Sequence, residues 1–392
     1  MAVVGGVVLT LAGCGTPTAT PEPAADDWGS VLADARGQSV RWGLPGSDAG
    51  LVAVLEREVT PRLAALGVRL ELAARSEPDL DALSLRSRDV ATGLGEEGWH
   101  CDWAQRLPNA DLVDTRSPQL RVDLGAEQPG CTSPWRQAHA TLVHDIDALD
   151  PDDAESIEAL LAWAGREPGR FTYPAPPDPT GMLALRTILD DTIGGPGELV
   201  REVDEASDQY AGAARRLWER LDAVAPGLWR GGAAYPPSAR DVERLYARGE
   251  IDAYLTLNPE RVAPRVADGT YRASTRQSVP APGNLGDPSW LVVPGDEQAP
   301  GAQAGALVLA DVLLEPEVQL ALWREAGVAP AIDPARTEPA VRPSLVAAFG
   351  TPPDPGGLSL AELTRHPRPE LAQVYVRGLE GTWADEVPRS AG

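Results

Sequence analysis

The chemistry open to this chain is limited by its residue types. All 34 basic residues are arginine, which removes P-loop, Schiff-base and kinase-type lysine chemistry. The patterns GxSxG and HExxH are absent, and His100, His139, His144 and His366 are scattered without ligand spacing, so no metal site is expected. Recognition of a ligand, or hydrolysis by a pair of carboxylates, stays open. Trp42, Trp135, Tyr173, Tyr254 and Trp290 fall at or near expected strand ends and loops. With Asp178 they suit a flat cationic ring, through stacking, a cation–π attraction of ~0.5–2 kcal/mol and a charge pair. Gly46, Ser47, Thr180, Gly181 and Asn258 complete the candidate ligand set. Several have a structural alternative: Trp42 and Trp290 as core residues, Asp178 as a turn former between prolines, Asn258 as a loop starter before Pro259.

The stretch "GRFTYPAPPDPTGMLALRTILDD" must position the largest share of these residues. Pro174, Pro176, Pro177 and Pro179 fix φ and keep the preceding residues out of the helical region, so the chain runs extended until a helix opens. Thr180 is the expected N-cap, and the N–H groups beyond it, on Gly181 and Met182, are either capped locally or face a bound group. A loop held in this way loses little ordering entropy on binding.

The rest of the chain reads as alternating strand and helix. "SVRWGLPGSDAGLVAVLEREVTPRLAALGVRLELAAR" predicts a βαβ opening with a helix capped near Ser47 or Asp48, which implies parallel pairing. Further strands are expected at Leu120–Leu124, Ala140–His144, Arg170–Tyr173, 250–257 and 289–295. Helices are expected at 150–169, from Thr180, at 205–228, 238–249 and 299–322, and in pieces beyond. At 392 residues with 43% hydrophobic content, two lobes of ordinary size are expected. The 39 glycines and 38 prolines predict many rigid loops. A formal net charge of −24 speaks against nucleic acid and anionic membrane surfaces as partners and favours neutral or cationic ligands.

The N-terminus points to export. "MAVVGGVVLTLAGCG" is too short to span a bilayer at ~20 residues and reads as a signal-peptide core. Leu11-Ala12-Gly13-Cys14 resembles the bacterial lipobox, in which Cys14 is lipidated; residues 1–14 are therefore read as signal peptide and lipobox, and 15–28 as a flexible tether. In an exported protein Cys101 and Cys131 are expected to form a disulfide worth roughly 3–4 kcal/mol, two buried free thiols being the other reading.

Taken together, "GRFTYPAPPDPTG" before an apolar helix, "LPNADLVDTRSPQLRVDLG" with "SPWR" after it, "GEIDAYLTLNPERV" and "WLVVPG" followed by "AGALVLADVLLEPEVQ" resemble the YnjB-type family of extracellular solute-binding lipoproteins, assigned to thiamine-type ABC importers. The likeness runs from about Val40 to the terminal "TWADEV". It implies an α/β, two-lobed type II periplasmic-binding-protein fold with hinge-crossing strands. One lobe would comprise 29–146 plus 283–345 and the other 147–282, with crossings near His144–Ala148 and Pro282–Leu291 and C-terminal helices at 346–392 packing back across both. It also implies a monomer, anchored by lipid to the outer face of the cytoplasmic membrane, that carries a small, thiamine-like solute to ABC permease subunits without catalysis or cofactor. Two other classes stay open: an interaction lipoprotein on the same fold, and an exported hydrolase, since 58 acidic residues could supply a carboxylate pair.

Overall fold

The computed structural model describes residues 28–44, 49–74, 84–89, 104–115, 117, 120, 132–194, 197–281, 283–292, 303–369 and 371–387. The leader, Cys14, nearly all of the tether, Gly46, Ser47, Cys101, Cys131 and most of the strand expected at Leu120–Leu124 lie outside the described residues.

Helix α1 (Trp28–Ala35) precedes β1 (Ser39–Leu44), and the expected βαβ opening follows as α2 (Ala49–Val54), a π-helical turn, α3 (Thr60–Ala65) and β2 (Arg69–Ala74). Leu51, Val54, Leu55, Val59 and Leu63 recur at helical spacing and are all buried, so one continuous apolar stripe seats the whole segment on the sheet. Both β2 and β3 (Ser84–Asp89) run parallel to β1.

Parallel pairing stops there. The segment containing "SPWR", expected as a loop, is strand β4 (Thr132–His139). Pro134 has no N–H to give to a ladder, and the strand register shifts between Pro134 and Arg136 in the manner of a bulge. The chain then enters β5 (Thr141–Asp145). The acidic stretch before the next helix forms turns, and α4 (Ile157–Arg166) begins only where Ser156 accepts the N–H of Ala159. Arg170–Tyr173 makes isolated bridges through Phe171 in place of the expected strand.

Helix α5 (Pro179–Ile193) is buried from Thr180 through Asp190. It is followed by α6 (Asp208–Val224) and α7 (Ala239–Ala247), capped by Ser207 and Ser238. Next come β6 (Ala253–Thr256), α8 (Val262–Ala267) and β7 (Thr275–Ser278). Strand β8 (Asn284–Val292) lies antiparallel to both β3 and β4. The single helix expected at 299–322 is two, α9 (Gln303–Leu313) and α10 (Pro316–Ala326), because Pro316 cannot continue a helix and instead starts one. β9 (Ala329–Pro330), α11 (Arg342–Phe349), α12 (Leu360–Leu363), β10 (Pro367–Arg368) and α13 (Gln373–Glu386) complete the order.

Among the described residues these strands form two sheets. One is seven-stranded, ordered β2-β1-β3-β8-β4-β9 with β10 beside β8; the other is three-stranded, β6-β5-β7. Each has its own core, one around Trp42, Trp135, Trp323 and Phe349, the other around Trp163, Phe171, Tyr173 and Trp383. The chain passes from one sheet to the other at Ala140 and returns just before β8. A third passage joins β10 to α13, whose Val376, Leu379 and Trp383 sit in the second core while Leu345, Phe349 and Leu363 of α11 and α12 sit in the first.

An ion pair ties that third passage to α5. Arg368 Nε and Nη2 lie 2.7 and 2.6 Å from Asp190 Oδ2, with both side chains 8% exposed. Burial pushes the Asp190 carboxyl up from the usual range despite the guanidinium beside it. Arg368→Ala leaves a buried carboxylate without its partner and is expected to lower the unfolding free energy by about 3–5 kcal/mol, whereas Arg368→Met with Asp190→Leu restores most of it. Urea denaturation of the three proteins measures this; equal losses in the single and double variants would show that the pair is not what holds the passage.

Candidate functional site

A cleft of about 320 Å³ opens where the two sheets meet. From the larger sheet it takes Arg136, Ala138 and His139 of β4 and Ser289 of β8, with the turn after α10 closing one side. From the smaller body it takes the start of α5 at Asp178–Thr180, the first residue of α7, Ala239, and Leu257–Arg261 beyond β6.

The proline segment delivers one residue with a defined job. Asp178, rather than Thr180, is the N-cap of α5, with Pro179 at the first helical position. Its Oδ1 accepts from the N–H groups of Thr180 at 2.9 Å and Gly181 at 3.3 Å. Its Oδ2 accepts from the N–H of Ala239 at 2.9 Å, so one carboxylate caps α5 and also holds the start of α7. Burial pushes this carboxyl above its usual range against the pull of the three N–H donors. Met182 N–H bonds back to the Asp178 carbonyl, so the local alternative for both free N–H groups is the one realised. Gly181 faces the proline loop: a Cβ there would lie 2.2 Å from the carbonyl oxygen of Pro174.

Of the candidate residues, Asp178, Thr180 and Asn258 come together at the cleft. The aromatic set does not, because its members fill cores instead. Trp42 and Trp135 are fully buried and pack edge to face, ring centroids 5.0 Å apart. Tyr173 packs on Tyr235 at 5.0 Å, and Tyr254 shares a hydroxyl–hydroxyl bond of 2.9 Å with Tyr271. Trp290 is buried within β8 opposite Pro134. Apolar rings of this size gain more from leaving water than from facing it.

Sequence reasoning missed Arg136, His139 and Ser289. Within "RQAH" Arg136 and Ala138 are the less buried positions and Gln137 and His139 the buried ones, but strand alternation tells only which residues share a face, not which of them line a cleft. Arg136 rests on the Trp135 ring, its guanidinium carbon 4.9 Å from the centroid, and its Nε donates to Ser289 Oγ at 2.9 Å. His139 is 1% exposed, and neither ring nitrogen has a protein partner. Burial lowers it from 6.5 to about 4, which keeps the imidazole neutral. Arg261 is held between Glu243 and Glu260, each 3.9 Å away.

Asp178→Ala strips three N–H groups of their acceptor and is expected to destabilise by about 2 kcal/mol, Asp178→Asn by less; the midpoint of urea denaturation reads this, and an unchanged midpoint would rule out the shared cap. His139 yields a pH dependence. The unfolded chain takes up its proton below 6.5 and the folded chain only near 4, so stability present above 6.5 is lost as pH falls toward 4, by up to about 3 kcal/mol. His139→Gln should remove that part of the acid sensitivity, measured as the difference between variant and wild type at about pH 7 and about pH 4.5.

Residues 107–344 match the family model described as bacterial extracellular solute-binding protein. Protein YnjB of Escherichia coli strain K12 is 29% identical over 346 residues, covering 82% of this chain and 86% of YnjB. An ABC transporter protein from Clostridium perfringens ATCC 13124 superposes with a TM-score of 0.59 at 13% identity, covering 89% of this chain and 98% of that one. The substrate-binding protein of an ABC transporter from Bradyrhizobium japonicum USDA 110 gives 0.58 at 14% identity, with coverage of 89% and 99%. The cyclic α-maltosyl-1,6-maltose binding protein from Arthrobacter globiformis gives 0.56 at 15%, with coverage of 89% and 94%. At such identities the structural likeness is one of fold, an α/β architecture shared with ABC solute receptors. With more than half of its length matched by the family model, this chain belongs to the bacterial extracellular solute-binding proteins, which act outside the cytoplasm, bind small solutes for ABC permeases and are not enzymes.

Proposed function

We propose that this protein captures one small solute in the cleft between its two sheets and closes on it about the three chain passages before presenting it to a permease. The observation that carries this reading is the position of the cleft. It is lined by strands of the larger sheet and by helix starts and a loop of the smaller body, so a solute touching Arg136 or Ser289 on one side and Thr180 or Asn258 on the other bridges both bodies. Binding energy gained only when both walls touch the solute favours the closed arrangement.

In this reading one lobe comprises 28–139 with 284–368 and carries the larger sheet; the other comprises 141–281 with 371–387. Cys14 is the lipidated residue, supported by the Leu11-Ala12-Gly13-Cys14 pattern, and the segment to Asp27 is the tether. A flat thiamine-like cation is not the solute proposed. No Trp, Tyr or Phe among the described residues lines the cleft, and the Asp178 carboxylate already caps α5 and accepts from the first N–H of α7.

The test is thermal unfolding and small-angle scattering of the protein from Asp26 onward, against a panel of sugars, polyamines, carboxylates, phosphate esters and thiamine. A solute at about 100 times its dissociation constant adds about 2.7 kcal/mol to stability and should reduce the radius of gyration. Ala138→Trp, which fills the cleft from β4, should abolish both effects while the protein stays folded. Binding that survives in Ala138→Trp would place the site elsewhere.

A further inference from the structure

Resting on that receptor reading, we infer that the solute carries an oxyanion, a carboxylate or a phosphate, gripped by the Arg136 fork, with the His139 ring and the Asn258 amide bonding its uncharged part. The charged groups on the cleft wall are not equally occupied. Asp178 has three backbone N–H donors, and Arg261 has two carboxylates. Arg136 has only the Trp135 ring beneath it and a neutral hydroxyl at Nε. Among the described residues no carboxylate pairs with it, and neither terminal nitrogen has a protein acceptor.

The geometry favours a planar, two-point partner. A guanidinium pinned at Nε and stacked on a ring cannot swing, so its two terminal nitrogens are pre-set as a fork, and bidentate pairing with carboxylate or phosphate is what such a fork does best. The support beneath is rigid: Trp135 is fully buried, and Gln319 Nε2 bonds the Trp135 carbonyl at 2.9 Å.

His139 is the independent observation. It lies three residues from Arg136 on the same strand, lines the cleft, is 1% exposed, and leaves both a donor and an acceptor without a partner among the described residues. A buried polar ring left unbonded in this way is destabilising, and a hydroxyl or amide of the solute would satisfy it. Asn258 lines the same cleft from the other body; its backbone N–H bonds Thr256 Oγ1, and its side-chain amide has no partner among the described residues. The −24 charge of the whole chain opposes an approaching anion. The selectivity inferred here is therefore local, and association should quicken as salt screens the acidic exterior.

The experiment is calorimetric titration at matched ionic strength of the wild type, Arg136→Gln and Arg136→Lys. The probes are inorganic phosphate, glycerol 3-phosphate, succinate and citrate, with glycerol, glucose and putrescine as uncharged and cationic controls. The expected result is that at least one anion binds the wild type, that Arg136→Gln weakens it by about ten- to a hundredfold, and that Arg136→Lys keeps part of it. The preference between phosphates and carboxylates tells which oxyanion is meant. Arg215→Gln, on the exposed face of α6, should change nothing. Anion binding equal in wild type and Arg136→Gln, or no anion binding at all, overturns the inference. Binding of the uncharged or cationic probes alone also overturns it and leaves the receptor reading standing. An Arg136-dependent anion that fails to draw the two bodies together in scattering supports the anion site and goes against the receptor reading instead.

Discussion

One carboxylate organises the smaller wall of the cleft. Asp178 accepts from Thr180, Gly181 and Ala239 and so fixes the starts of α5 and α7 relative to each other. The chain before it does not stay extended as expected: Pro176 and Pro177 form a turn in which the Asp178 N–H donates to the Ala175 carbonyl at 3.2 Å, and Pro179 begins the helix directly after the cap. Gly181 lets α5 approach the loop so closely that any side chain would strike the Pro174 carbonyl. The segment therefore builds the wall and holds the carboxylate between two helix starts.

The junction beside the cleft shows a complementary economy. Two adjacent antiparallel strands, β4 and β8, carry the chain between the bodies, and β10 adds a third passage. Gly283 sits at φ +138° where a Cβ would lie 2.1 Å from the His366 carbonyl oxygen, so the second and third passages touch backbone to backbone. The Asp190–Arg368 pair then fastens the third passage to α5. Backbone contact and the ion pair thus join the second and third passages to each other and to α5.

Charge works on two scales here. The exterior is strongly acidic, which keeps such a protein soluble and governs how charged solutes approach. Among the described residues that line the cleft, Asp178 is engaged by helix starts and Glu260 by Arg261, while Arg136 bonds the neutral hydroxyl of Ser289. Net charge is thus a poor guide to what the cleft prefers, since a solute in contact with a wall responds to groups within a few ångströms.

The sequence by itself determined the local elements. The βαβ opening, the abrupt start of α5 after the prolines and the strand 253–256 all follow from periodicity and from φ restrictions that act over a few residues. The ordered set of segments was also enough to indicate the family. Only the tertiary structure decided that "SPWR" is a strand, because β4 owes its existence to pairing with β8, far along the chain, and no local pattern announces a bulge at Pro134. For the same reason the site was only half legible. Asp178, Thr180 and Asn258 could be placed near the cleft from loop positions, but the aromatic residues went to the cores, where burial of large rings outweighs any use as ligand contacts. Arg136 and His139 could not be found beforehand, because a residue's role as cleft wall depends on which face of which strand the opposite body leaves uncovered.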